Sequence, residues 1–122
     1  MPRPIHFEIP ADNPERASAF YRDVFGWQFQ KWDGPMPYWL IVTGENGERG
    51  IDGGMMPRQA PGTSTVNTIG VASLDASLET IEAKGGKTVV PKMPVPGVGW
   101  LAYCIDTEGN TFGVMQADET AA

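Results

Sequence analysis

The residues best equipped for chemistry stand near the start of the chain, in the stretch IHFEI. His6 is the only histidine, and Glu8 follows two positions later. Ile5, Phe7 and Ile9 alternate with them, which predicts a strand with one apolar face and one ionisable face. An imidazole titrates near neutral pH, and a carboxylate on the same face can orient it and stabilise its charged form. His6 and Glu8 are therefore the candidate catalytic pair for proton transfer; the alternative is a hydrogen-bonded structural pair. Cys104 is the only cysteine, so no internal disulfide can form. With no basic neighbour in sequence it reads as a small buried hydrophobe, not as a nucleophile. GENGERG and EGN are glycine-containing turns, but neither leads from a strand into a helix as a nucleotide fingerprint requires.

The elements that must position these groups come in two similar runs. After the first strand, Asn13 can cap a helix, Pro14 suits its first position, and Glu15 suits its first turn. Ala17, Phe20, Tyr21, Val24 and Phe25 follow helical spacing, and Gly26 ends the helix. WQFQKW, YWLIVT and IDGGMM then read as strands separated by DGP and GENGERG. PRQAPGTST is a connector, after which the order restarts with VNTIGV. Ser73 can cap a second helix carrying Leu74, Leu78 and Ile81, stopped by Gly85 and Gly86. KTVVP is a strand and KMPVPGVG a Pro/Gly-rich loop; WLAYCI and TFGVMQ form a hairpin around EGN. The chain is thus one α+β domain of two βαβββ modules: residues 1–56, a linker 57–65, residues 66–116 and a tail 117–122.

The 122 residues can bury a core, with 41% hydrophobic and 20% charged positions. A formal net charge of -6 disfavours nucleic acid and anionic membrane surfaces as partners. No window approaches a membrane span, and the N-terminus lacks an apolar signal run. With a single cysteine, these features point to the cytoplasm.

HFEIPADNPERASAFYRDVFGW at the start, KGGK after the second helix and DTEGNTFGVMQ at the end give the chain a family likeness. It resembles the vicinal oxygen chelate superfamily, which includes glyoxalase I, extradiol dioxygenases and bleomycin-resistance proteins. The resemblance implies an eight-stranded curled sheet, a cup, with helices outside and the ligand inside. Ile5, Phe7 and Ile9 would face the helices, and His6 and Glu8 the cup. Metal-using members hold a divalent ion through His, Gln or Glu on the first and last strands of each module. Carried onto this chain, those positions are His6, Gly54, Val66 and Gly113, of which only His6 can ligate. No tightly bound metal and no cofactor are therefore expected.

The glycines would either hollow the cup for an organic ligand or ease strand coiling. If Asp106 pairs with Thr111, then Trp100, Cys104, Gly113 and Met115 share the inward face, and with Gly54 they are the candidate ligand-binding residues. Trp100 follows PVPGVG, a loop long enough to cover a cup's mouth. The resemblance implies a metal-free, bleomycin-resistance-like protein that binds a small organic molecule. The alternatives are a lyase, isomerase or dioxygenase using a divalent metal near His6, or metal-free proton transfer by His6 and Glu8. A homodimer is expected from the superfamily's habit, with the connector as a hinge for module exchange.

Overall fold

The computed structural model describes residues 2–122. The elements run β1 (Arg3–Ala11), α1 (Pro14–Phe25), β2 (Gln28–Lys31), β3 (Trp39–Val42), β4 (Gly53–Pro57), β5 (Val66–Gly70), α2 (Leu74–Ala83), β6 (Lys87–Val95), β7 (Gly99–Ile105) and β8 (Thr111–Ala117). This is β-α-β-β-β twice, in a mixed α+β sheet of eight strands. The chain divides into two compact units, one of residues 6–65 and one that joins residues up to Ile5 to Val66–Ala122. β1 crosses from one unit to the other, so the first module gives its leading residues to the second.

In the 6–65 unit the strand order is β2-β3-β4-β1. β1 and β4 are parallel, with Glu8 opposite Gly54, while β4 also pairs antiparallel with β3, Leu40 opposite Gly54. Helix α1 starts as its sequence dictates. Asn13 accepts from the Arg16 amide, Pro14 occupies the first turn, and Gly26 closes the helix at φ 76°. One face of this sheet carries the core. Ala11, Ile41 and Met55 are buried there, packed against Phe7, Ile9, Ala17, Tyr21, Trp27, Phe29 and Trp39. Side-chain alternation then places His6, Glu8, Leu40 and Gly54 on the other face.

The second unit orders its strands β1-β5-β8-β7-β6. Its core is Leu74, Ala102, Cys104 and Val114, with Val71, Leu78, Ile81, Trp100 and Phe112 packed around them. Ser73 caps α2 by accepting from the Ala76 amide. Ile5 does not join the helix-side cluster of Phe7 and Ile9. It is 47% exposed and lies over Gly70, where a Cβ would come within 2.9 Å of its Cδ1.

KMPVPGVG is not a loop. β6 continues through Lys92, Met93 and Pro94 to Val95, with register shifts after Thr88 and Val90. Pro91 and Pro94 are tolerated because β6 is the last strand of the sheet and donates on one side only. Only Pro96, Gly97 and Val98 remain as a turn, too short to cover a ligand. The residues after β8 are also held: Ala121 is buried, and its carbonyl accepts from the Gly97 amide.

Candidate functional site

His6 and Glu8 share a face of β1, as their spacing requires, and a third group joins them. The Tyr38 phenol stands 2.8 Å from His6 Nε2 and donates to Glu8 Oε2 at 2.9 Å. Tyr38 directly precedes β3. Its side chain falls on the face of Leu40, whose partner Gly54 is in turn the partner of Glu8. The missing side chain of Gly54 is what seats it: a Cβ there would lie 1.8 Å from the Tyr38 hydroxyl oxygen. Trp32 supports the ring from the side, 6.1 Å between centroids and edge-on, and its amide donates to the Tyr38 carbonyl.

The bond directions fix the tautomer. The Tyr38 hydrogen is committed to Glu8, so Nε2–H of His6 must donate to the phenol oxygen. Burial holds His6 below its ordinary value, against the opposing pull of the Glu8 and Asp52 charges. At neutral pH the uncharged ring is therefore favoured, with the lone pair on Nδ1. Glu8 is 6% exposed. Asp52 is fixed at the closure of the GENGERG turn, where its carboxylate accepts from the Thr43 amide at 2.9 Å. The result is a chain of donors, imidazole to phenol to carboxylate, anchored in the sheet. Such a chain can bind a hydrogen-bond donor, or accept a proton at Nδ1 and stabilise the resulting imidazolium.

The five expected ligand-contacting residues are distributed differently. Gly54 belongs to the site as the seat of Tyr38 and not as an opening. Gly113 is the register partner of Thr68, whose Oγ1 would be 2.9 Å from a Cβ at Gly113. The β7–β8 hairpin pairs Ile105, not Asp106, with Thr111, and Tyr103 with Gly113. That one-residue difference reverses half of the expected set. Gly113 and Met115 share a face with Leu101 and Tyr103, while Trp100 and Cys104 lie on the opposite, helix-covered face. Trp100 has its own role there: its indole donates to Asp118 at 3.0 Å, and Lys92 Nζ lies 5.0 Å from the ring centre. Burial pushes the Cys104 thiol up, which fits a buried hydrophobe.

Tyr38 is the member of the candidate site that sequence reasoning missed. The length of the GENGERG turn was the obstacle, because it decides which of Tyr38 and Trp39 shares a face with Gly54. The two modules match in register: Glu8 opposes Gly54 as Thr68 opposes Gly113. His6 therefore corresponds to Val66 and Gly54 to Gly113. Those four positions do not form a donor set for a divalent ion, since one imidazole is their only ligating group. Among the described residues no cluster of three His, Cys, Asp or Glu side chains is placed to hold one.

Residues 3–44 match the family described as Bleomycin resistance protein-like N-terminal. The chain is 34% identical over 112 residues to a glyoxylase-like domain-containing protein of Didymella fabae, covering 88% of each. It is 28% identical over 123 residues to CFP32 of Mycobacterium bovis, whose name places it provisionally among glyoxylases, and spans 46% of that longer protein. Among solved structures, methylmalonyl-CoA epimerase of Streptomyces coelicolor, in complex with 2-nitronate-propionyl-CoA, superposes with a TM-score of 0.72 at 14% identity. The match covers 98% of this chain and 97% of that one. With the βαβββ repeat and the matched register of its two modules, the chain belongs to the glyoxylase-like, bleomycin-resistance-like proteins of the vicinal oxygen chelate superfamily.

Proposed function

We propose that this chain binds a small organic molecule at His6, without a divalent ion, and that the ligand presents a hydrogen-bond donor to Nδ1. One observation carries this reading: Nε2 is committed to Tyr38, and Tyr38 to the buried Glu8. The ring is thereby held in one tautomer, and burial keeps it neutral against the pull of the Glu8 charge, leaving a single acceptor nitrogen for a partner. Where metal-using relatives place ligating side chains, this chain has glycine, with Tyr38 over Gly54 and Thr68 beside Gly113. The donor set does not fit an ion, and the binding chemistry is that of hydrogen bonds and apolar contact.

A second reading rests on the same geometry. A neutral imidazole linked through a phenol to a carboxylate is a general base, so the site could move a proton to or from a bound carbon or oxygen acid. The glyoxylase-like relative in Didymella fabae favours an enzyme.

A thermal-shift screen of small alcohols, phenols and hydroxy acids tests the first reading, run in parallel on wild type and His6→Ala. A ligand that stabilises wild type and not His6→Ala supports it. Ligands that stabilise both equally place binding elsewhere. Exchange of solvent deuterium into the bound ligand, lost in His6→Ala, separates proton transfer from binding alone. One equivalent of divalent metal retained through desalting by wild type, and lost in His6→Ala, would overturn the metal-free site.

A further inference from the structure

The GENGERG turn between β3 and β4 places Asn46 directly before Gly47, and every residue from Gly44 to Gly50 is exposed. The two are the central pair of a reverse turn. The Glu48 amide donates to the Glu45 carbonyl at 3.2 Å, and the Glu45 amide donates to Glu48 Oε1 at 2.7 Å. Gly47 has a φ of 93°, a conformation that glycine adopts without strain, and a Cβ built on it would meet nothing within 4 Å. The bonds that close the turn thus use Glu45 and Glu48. Among the described residues, neither the Asn46 side chain nor the Gly47 amide has a hydrogen-bond partner.

That leaves an electrophile and a nucleophile side by side. The carboxamide carbon of an asparagine and the backbone nitrogen of the next residue can close a five-membered ring, and a glycine puts no side chain in the way. The Gly47 nitrogen attacks Asn46 Cγ and gives up its proton. The N–Cγ bond forms, the Cγ–Nδ2 bond breaks, and the amide nitrogen leaves as ammonia. Water then adds to either carbonyl of the cyclic imide and reopens it, to an aspartate or to an isoaspartate whose backbone runs through the former side chain. One water is consumed and one ammonia released, with no oxidation or reduction. The other asparagines each lack a condition for this step. Asn13 precedes Pro14, whose nitrogen carries no proton, and its side chain caps α1. Asn67 precedes the β-branched Thr68 within β5. Asn110 precedes Thr111, and its side chain and amide both donate to Asp106, at 3.1 and 2.9 Å.

We propose that Asn46–Gly47 is a self-modification site, which converts without an enzyme to aspartate and isoaspartate and adds a negative charge to the turn that ends in Asp52. The assignment is independent of what His6 binds. Trypsin leaves the four asparagines on separate peptides, residues 1–16, 32–49, 59–84 and 93–122. Peptide mapping by mass spectrometry, after timed incubation of the folded full chain in neutral buffer, therefore tests each one against the others. The mass gain of an amide-to-acid exchange is expected in the 32–49 peptide, divided between two chromatographically distinct products of equal mass. Its rate should exceed that at Asn67 and Asn110 at least about tenfold, the ratio that about 1.4 kcal/mol in barrier height gives. Asn46→Gln would have to close a larger ring, so its peptide is expected to stay unchanged over the same period. The exchange is at an exposed turn position, and circular dichroism confirms that the variant is folded. A 32–49 peptide of unchanged mass in the wild type overturns the proposal. So do equal rates at Asn46, Asn67 and Asn110, or an Asn46→Gln variant whose peptide gains mass as fast as wild type.

Discussion

Replacing Glu8 by Gln is the sharpest test of the imidazole–phenol–carboxylate chain, because this protein has one histidine to observe. The two hydrogen bonds put His6 Nε2 and Glu8 Oε2 no more than about 5.7 Å apart. At that distance, with an effective dielectric between about 20 and 80, the carboxylate stabilises an imidazolium by about 0.7 to 3 kcal/mol. Gln keeps the shape and an acceptor oxygen but removes the charge. The His6 midpoint, already held below its ordinary value by burial, is expected to fall further, by about half to two pH units. A long-range nitrogen–proton correlation spectrum of the imidazole, titrated between pH 4 and 8, reads both the midpoint and the tautomer. Wild type should show the Nε2–H tautomer. An unchanged or raised midpoint in Glu8→Gln would refute the electrostatic reasoning, and an Nδ1–H tautomer would refute the assigned bond directions.

Further outcomes follow from the same geometry. Tyr38→Phe removes the hydroxyl that joins His6 to Glu8 and should cost about 1 to 3 kcal/mol in urea unfolding; a loss below about 0.3 kcal/mol would mean the bonds do not form in solution. Because the folded state disfavours imidazolium, the unfolded chain binds the His6 proton first as pH falls. The stability contributed by the neutral ring is therefore complete above about pH 6.5 and lost as pH drops through the lower folded midpoint. His6→Gln should flatten that part of the stability–pH curve, and a curve of unchanged slope would exclude His6 as its source. Gly99→Ala places a Cβ 2.2 Å from the Gln116 carbonyl oxygen, whereas Gly113→Ala meets the Thr68 hydroxyl at 2.9 Å. Backbone yields less readily than a hydroxyl, so Gly99→Ala should cost about 1 to 3 kcal/mol and Gly113→Ala clearly less; the reverse order in chemical denaturation would contradict the packing.

The helices were readable because their ends are written locally. Asn13 and Ser73 cap through their own side chains, and Gly26 takes a positive φ that costs it nothing. The βαβββ repeat was readable for the same reason. Register was not, because it depends on the conformation of turns that sequence constrains weakly. One residue in the β7–β8 turn moved Trp100 and Cys104 to the helix side and left Gly113 and Met115 opposite. The same ambiguity around GENGERG hid Tyr38. β6 was misread because Pro91 and Pro94 look like loop residues until the strand is known to lie at an edge. Gly54 posed a different problem: a glycine announces that a side chain is missing, but not which neighbour takes the space.

That last point bears on how a site can change within a duplicated fold. Gly54 and Gly113 hold equivalent register positions, yet different residues approach them. Beside Gly54 the chain supplies Glu8 from β1 and a phenol from the residue before β3. Beside Gly113 it supplies Thr68 from β5, and the step along β7 that corresponds to Tyr38 reaches Leu101. The ionisable chemistry is thus concentrated in one module, while the equivalent positions of the other are filled by Val66, Thr68 and Leu101. Two modules that share a metal must both keep their donors. A hydrogen-bonded chain built within one module has no such requirement, so the second is free to become apolar. Among the described residues, the bonded partners of the imidazole, Tyr38 and through it Glu8, come from residues 6–65.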